Sequence, residues 1–264
     1  MQDTESQPIT IEVGAGADRR SIAVRHRPAN GGGPGLVWLG GYRSDMGGTK
    51  AVELDGFAAE NGLACTRHDY SGHGASGGAF IEGTISRWLE ESLAVFDGVT
   101  EGSQILIGSS MGGWIALRMV QELARRGESG RVAGMVLIAP APDFTAELIE
   151  PELTDRHRRD LEEKGYFEEP TPYGPEPDIY TKALIEDGRE NRVLTGIIDT
   201  NCPVHILQGM ADPDVPWRHA LRLVEHLPSD DVVLTLVRDG DHRLSRPEDL
   251  ARMRTAIHGM VDNC

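Results

Sequence analysis

Residues 104–114, Gln-Ile-Leu-Ile-Gly-Ser-Ser-Met-Gly-Gly-Trp, constrain this chain more than any other stretch. Residues 104–107 read as a short buried strand, and residues 114–123 read as a helix with apolar side chains at helical spacing. Only six residues are left for the change of direction. A strand that turns so sharply into a helix forces the residue at the apex into a strained backbone conformation and pushes its side chain out of the sheet. That residue is Ser110. Gly108 and Gly112 flank it because a Cβ at either place would collide with the neighbouring strand and helix. The helix N-terminus then lies beneath the serine, where its free N–H groups favour developing negative charge. Ser110 is therefore a candidate nucleophile. The Gly-x-Ser-x-Gly pattern alone decides little in a chain with 32 glycines, so the case depends on finding its partners.

The rest of the chain sets the frame in which those partners must appear. Residues 9–13 and 21–26 alternate like two strands of a hairpin around Gly14-Ala-Gly-Ala-Asp18. Further apolar strands are expected at 36–39, 63–68, 132–139, 204–207 and 232–237. Helices are expected at 49–60, 84–96 (capped by Thr84 or the residues just before it), 217–226 and 247–261. Strands that alternate with helices and read as unbroken apolar runs imply an α/β fold. Its central sheet is mostly parallel, with helices on both faces. In such sheets functional residues gather on loops beyond the strand C-termini, which selects the Ser110 turn, Gly40-Gly41-Tyr42 and Asp69-Tyr-Ser-Gly-His-Gly-Ala-Ser76. The alternation stops between about residues 143 and 200. There, 144–163 reads as a charged helical stretch, the proline-rich 168–177 as irregular, and 180–192 as helix. This insert is expected to be a small helical lid on a single domain spanning 1–264. The alternative is a solvated surface excursion.

A serine hydroxyl needs a general base, and the base needs something to orient it. Where the nucleophile sits on a turn of this kind, the partners follow in the order serine, acid, histidine, on loops after late strands. After 204–207 comes Gln208-Gly-Met-Ala-Asp-Pro-Asp-Val-Pro216, which offers Asp212 as the acid with Asp214 as the rival. After 232–237 comes Arg238-Asp-Gly-Asp-His-Arg243, which offers His242 as the base. His73 is expected to stabilise its loop or line the pocket. Two backbone N–H groups would hold the oxyanion, one from Met111 and one from Tyr42, with Gly41 as neighbour and alternative. Trp114 and Trp217 are candidate walls of an acyl pocket, against the plainer reading of core tryptophans. Arg43 and Arg243 adjoin the site in sequence. Either is a candidate for binding a carboxylate on the leaving group, against the plainer reading of two surface arginines.

Composition removes several other classes. A formal net charge of -16 would repel nucleic acid and anionic membranes. Three cysteines, Cys65, Cys202 and Cys264, fit neither a zinc site nor a disulfide framework. Cys65 and Cys202 are expected as buried structural thiols in a reducing compartment. Residues 1–10 are polar, so no signal peptide is expected, and no apolar run approaches the ~20 residues of a membrane span. Gly72-His-Gly-Ala-Ser-Gly-Gly lacks the lysine or the glycine spacing that phosphate binding needs, and no metal-ligand spacing is seen. The expectation is a cytoplasmic protein with no metal and no cofactor.

Five segments together resemble the α/β-hydrolase superfamily: Gly41-Tyr-Arg-Ser-Asp-Met-Gly-Gly-Thr-Lys-Ala51, the 69–76 loop, Gly108-Ser-Ser-Met-Gly-Gly-Trp114, the 201–217 stretch beginning Asn-Cys-Pro, and Asp241-His-Arg243. The first and fourth are the more specific. They resemble the abhydrolase-domain branch of palmitoyl-protein thioesterases and acyl-glucuronide esterases, which in animals are mitochondrial. The resemblance implies a cofactor-free serine hydrolase of esters or thioesters, with Ser110 as nucleophile, Asp212 as acid and His242 as base. Its substrate would be a small-molecule acyl ester or thioester, or an acylated protein. One departure touches loop anchoring: many superfamily members carry His-Gly before the first oxyanion residue, where this chain has Gly40-Gly41. Three alternatives stay open: a peptidase of the same fold, a cofactor-free haloperoxidase activity, and a non-catalytic binding protein.

Overall fold

The computed structural model describes residues 8–227 and 231–263. In chain order its elements are β1 (Ile9–Val13), β2 (Arg20–Arg27), β3 (Gly35–Leu39), α1 (Thr49–Asn61), β4 (Cys65–His68), α2 (Ile85–Val99), β5 (Gln104–Ser109), α3 (Met111–Arg125) and β6 (Val132–Ile138). The insert carries α4 (Asp155–Glu163), β7 (Tyr166–Glu169), β8 (Asp178–Thr181) and α5 (Lys182–Glu190), and β9 (Val204–Gly209), α6 (Trp217–His226), β10 (Val232–Val237) and α7 (Pro247–Asp262) complete the chain.

Eight strands form one sheet in the order β1-β2-β4-β3-β5-β6-β9-β10. β2 runs antiparallel to both its neighbours, with Ile11 opposite Ile22, and every pair from β4 to β10 is parallel. All residues of β3 and β5 are buried. That is why these strands read as apolar runs without alternation: helices cover both faces. Trp88 and Phe96 of α2, Ile115 of α3 and Leu223 of α6 pack on one face. Leu54 and Phe57 of α1 and Met253 and Ile257 of α7 pack on the other.

The strand order places the site. After β3 the chain steps outward to β4, then returns past β3 to β5. The loops leaving the C-terminal ends of β3 and β5 therefore part in opposite directions and leave a crevice between them. Gly40-Gly41-Tyr42 and Ser110 stand on those two loops.

The insert departs from the expected pair of helices. Residues 144–163 do not form one helix. A wide π turn at Thr145–Ile149 and a tight 3₁₀ turn at Glu150–Glu152 come first, and α4 begins only at Asp155. Pro151 cannot supply the N–H that a continuous helix needs. The Thr154 hydroxyl then caps the new start by accepting the His157 N–H. Tyr180 belongs to a strand: β7 and β8 pair antiparallel, with Phe167 opposite Tyr180, and α5 starts at Lys182 with Thr181 as its cap. The irregular stretch is thereby shortened to residues 170–177, since Glu168 and Glu169 lie in β7. Both ends of the insert are tied to one buried carboxylate. Asp143 accepts the N–H groups of Val193 and Leu194, each at 2.8 Å.

Cys65 opens β4 and is buried, which pushes its thiol up to about 12. Cys202 is half-buried just before β9, and Cys264 lies outside the described residues. Among the described residues no helix is long and apolar enough to cross a membrane.

Candidate active site

Ser110 sits at φ 54°, ψ −119°, between the end of β5 and the first residue of α3. The strain expected at the apex of the turn is present, and two contacts impose it. A Cβ on Gly108 would lie 2.5 Å from the Gly112 carbonyl oxygen, and a Cβ on Gly112 would overlap the carbonyl oxygen of Leu39 at the end of β3. The helix can therefore dock this close to the sheet only with glycine at both places. The Ser110 N–H donates to the Ile138 carbonyl at 2.9 Å, which fixes the turn against β6.

The loops after β9 and β10 are brought together in the same way. Met210 N–H donates to the Val237 carbonyl and Ala211 N–H to the Gly240 carbonyl, at 2.8 and 3.0 Å. A side chain at Gly209 would run into the Gly240 backbone. Asp212 is thus delivered to His242. The Asp212 side chain is fully buried, and four donors converge on it. Its Oδ1 accepts the N–H groups of Asp214 (2.9 Å) and Val215 (2.8 Å), and its Oδ2 accepts Gln208 Nε2 (3.1 Å) and His242 Nδ1 (2.8 Å). A carboxylate so supplied is an acceptor, which assigns the proton to His242 Nδ1 and leaves Nε2 free to accept. His242 Nε2 lies 3.1 Å from Ser110 Oγ. The rival Asp214 is engaged otherwise: its carboxylate accepts the hydroxyl of Tyr173, whose ring centroid is 6.4 Å from that of His242. Among the described residues, Asp212, Asp214 and His242 are also the one group of three or more His, Cys, Asp or Glu side chains whose ligand atoms lie within 4.8 Å of one another.

The loop after β3 abuts the serine. A Cβ at Gly41 would lie 3.3 Å from Ser110 Cβ, so glycine permits the approach. Ser44 closes the turn by donating its N–H and hydroxyl to the Gly41 carbonyl, at 3.2 and 2.8 Å. Arg43 has φ 57°, and its N–H donates to His73 Nε2 at 3.2 Å. His73 Nδ1 in turn donates to the Ser71 carbonyl at 3.2 Å. Burial holds His73 down to about 4, so the ring stays neutral and can accept. The 69–76 loop is fixed in its turn by buried acids: Glu91 pairs with Arg20 and accepts the Ser71 N–H, and Asp69 accepts the N–H groups of Met46 and Ala75. A chain with Gly40-Gly41 in place of His-Gly therefore anchors the loop through His73.

This arrangement makes a prediction about pH. The folded pKa of about 4 lies below the ordinary 6.5. As pH falls from 6.5 towards 4, the unfolded chain takes up a proton that the folded His73 does not, so the stability this histidine contributes above 6.5 is progressively lost. ¹⁵N NMR of the ring should show His73 still neutral and Nδ1-protonated at pH 5.5. Titration near 6.5 would show that the anchor to Arg43 is not maintained. His73→Phe should leave the Arg43 N–H unsatisfied and lower kcat/KM by about tenfold or more.

A cavity of about 960 Å³ opens onto Ser110 and His242, near the upper end of ordinary ligand sites. Its apolar lining comes largely from the insert, through Phe144, Leu148, Ile149, Leu153 and Phe167. Gly41, Tyr42, Arg43 and Arg243 also line it, but neither expected tryptophan does. Trp114 points from α3 towards α5, is fully buried, and donates its Nε1 to the Asn191 carbonyl at 3.0 Å. Trp217 lies under the guanidinium of Arg218, 4.4 Å from the ring centroid. Phe144, one of the insert rings that line the cavity, packs edge-on against Trp114. The Arg43 guanidinium is already engaged, with Glu176 at 3.0 Å and with the Pro177 carbonyl. The sequence reading missed Tyr173 and Lys50, which share the cavity wall with His242.

The alpha/beta hydrolase family matches residues 29–253 of the chain. The chain belongs to that family. A solved structure of a putative hydrolase from Agrobacterium vitis S4 is 65% identical, with a TM-score of 0.94 over 97% of this chain and 98% of that one. The alpha/beta hydrolase domain-containing protein 10 from mouse is 30% identical, with a TM-score of 0.83 over 97% and 99%. The human palmitoyl-protein thioesterase ABHD10, mitochondrial, is 32% identical over 241 residues, which cover 90% of this chain and 76% of the relative. These findings bear out the resemblance read from the five segments. The relative is named as mitochondrial, so it lends no support to the cytoplasmic expectation.

Proposed function

We propose that this hydrolase cleaves carboxylic esters or thioesters by transferring the acyl group to Ser110. The observation that carries the reading is the chain of hydrogen bonds from Ser110 Oγ through His242 to the buried Asp212 carboxylate. His242 Nε2 takes the hydroxyl proton as Oγ attacks the acyl carbonyl. Asp212 holds the ring in the tautomer that can accept and stabilises the imidazolium that forms. The first N–H groups of a helix have no intrahelical partner, so the N–H of Met111 is available for the oxyanion. The N–H of Tyr42, beside Gly41, is the second donor. The imidazolium then gives its proton to the departing alcohol or thiol. Water, activated by the same imidazole, releases the acid from Ser110.

Residues 143–200 act as a lid on a single catalytic domain. Tyr42 supports this role, because its hydroxyl donates to the Ile179 carbonyl of β8 and its ring stacks on Tyr180 at 5.5 Å. The oxyanion loop and the lid therefore order one another. The apolar lid side chains suit a hydrocarbon acyl group, from a small molecule or an acylated protein.

A fluorophosphonate probe tests the reading without a choice of substrate. Intact mass and peptide mapping should give one adduct, on Ser110, that is absent from Ser110→Ala and from protein unfolded before exposure. No adduct, with the fold intact, would favour a non-catalytic binding protein.

A further inference from the structure

Half of the loop between β7 and β8, residues 170–177, is proline: Pro170, Pro172, Pro175 and Pro177. Proline has no backbone N–H to give, so the position of this loop depends on side chains. Two ties hold it. Arg43, in the loop after β3, donates to the Pro177 carbonyl and pairs with Glu176 at 3.0 Å. Tyr173 donates its hydroxyl to the carboxylate of Asp214, in the loop after β9. The loop is therefore a strap, tied on one side next to Tyr42 and on the other two residues beyond Asp212. Every residue from Pro170 to Glu176 lines the cavity, as does His242. The Tyr173 ring lies 6.4 Å from that of His242, centroid to centroid, and is 47% exposed. It thus borders the base on one side and water on the other. Partial burial first, and then Asp214, push the phenol above its usual range, so it keeps its proton and stays a donor.

The side of the substrate that meets this strap follows from the chemistry. His242 hands its proton to the leaving atom, so the wall next to His242 flanks the departing group, while the apolar lid side chains take the acyl chain. We propose that Tyr173, held by Asp214, is a specificity-determining residue: it closes the leaving-group side of the cavity and selects small alcohols and thiols over leaving groups that continue into a polypeptide. A small leaving group fits beneath the strap. An acylated residue within a polypeptide carries backbone on both sides, and that backbone clears the strap only after Tyr173 lets go of Asp214. A single hydrogen bond open to water is a modest tie, so a minor open population exists, and its size is set by that bond. The inference rests on the acyl-transfer reading and divides two substrate classes that this reading leaves together.

The test compares two thioesters with the same acyl group and the same leaving atom: N-acetyl-S-octanoylcysteine amide, and S-octanoylcysteine at the centre of a longer uncharged peptide. The wild type should prefer the small one. In Tyr173→Phe, which keeps the ring and loses the tie, the ratio of kcat/KM, peptide over small, should rise about tenfold, mostly through KM, because the open population grows by the worth of one charge-assisted hydrogen bond. Tyr173→Ala should raise it at least as far. Asp214→Ala should match Tyr173→Phe, and the double variant should go no further, since both remove one bond. If Tyr173 only supported His242, both thioesters would slow together and the ratio would stay put, which would overturn the proposal. A wild type that cleaved the peptide as readily as the small thioester would overturn it too. Calorimetry with the matching S-octyl thioethers reads the strap without turnover: the peptide should bind more weakly than the small ligand in the wild type, and the gap should narrow in Tyr173→Phe. If the wild type cleaved neither thioester while this gap still depended on Tyr173, acyl transfer would fall and the strap would stand. A gap that was absent, or equal in wild type and variants, would overturn the strap.

Discussion

Ser110→Ala is expected to lower kcat/KM for p-nitrophenyl butyrate by at least ~10³-fold, with unchanged circular dichroism. The size follows from what is lost. Without Oγ there is no acyl-enzyme, and the oxyanion donors can only assist slow attack by water. Asp212→Asn is expected to cost about 10⁴-fold for a different reason. The carboxylate accepts four donors, and an amide in its place must turn its NH₂ towards some of them. Facing His242, it would favour the tautomer with the proton on Nε2, which cannot accept from Ser110. The two losses act on one unit, so Ser110→Ala/Asp212→Asn should be little worse than the poorer single variant. Near-additive losses would mean that Asp212 acts elsewhere. A Ser110→Ala protein retaining a tenth of wild-type activity would assign the nucleophile to another group, and the three-residue reading would have to be abandoned.

The parts of this site that were legible in the sequence are those set by local backbone geometry and chain order. Ser110 declared itself because a strand, a six-residue turn and a helix leave only one conformation for it, and glycines mark the contacts at Gly108 and Gly112. Asp212 and His242 followed because the topology assigns them to the loops after β9 and β10. Longer-range choices were not legible. Trp114 is one turn from Ser110, but whether it faces the cavity or the core depends on where α5 ends, since the carbonyl of Asn191, the residue after that helix, takes its N–H. Strands β7 and β8 have four residues each, too few to show a period of two, and the prolines between them read only as a break. Lys50 and Arg243 are 193 positions apart, and no spacing rule joins them. His73 was readable as a loop histidine. That it holds the Arg43 N–H needed the fold.

Gly112→Ala is expected to be the most damaging single methyl group that can be added near the site. The new Cβ would overlap the carbonyl oxygen of Leu39 and sit 2.6 Å from that of Gly40. Both are backbone atoms at the end of a buried strand, so no side chain can swing away and α3 itself must move. Overpacking of this kind costs about 3 kcal/mol, a fall in Tm of about 6–12 °C for a chain of this size. The displacement is greater in function than in stability, because α3 carries Ser110 and Met111. A shift of about 1 Å between nucleophile, base and oxyanion donors costs about 10²-fold in rate. Gly56→Ala is the control. Gly56 lies inside α1 with nothing within 4 Å of a new Cβ, so the same substitution there should stabilise by about 1 kcal/mol and leave turnover alone. Differential scanning calorimetry together with p-nitrophenyl butyrate hydrolysis separates the two outcomes. If Gly112→Ala kept both its Tm and its rate, the close docking of α3 on β3 would not be what positions Ser110. The strained serine would then have to be held by its own link to Ile138 and by the loop around Gly41.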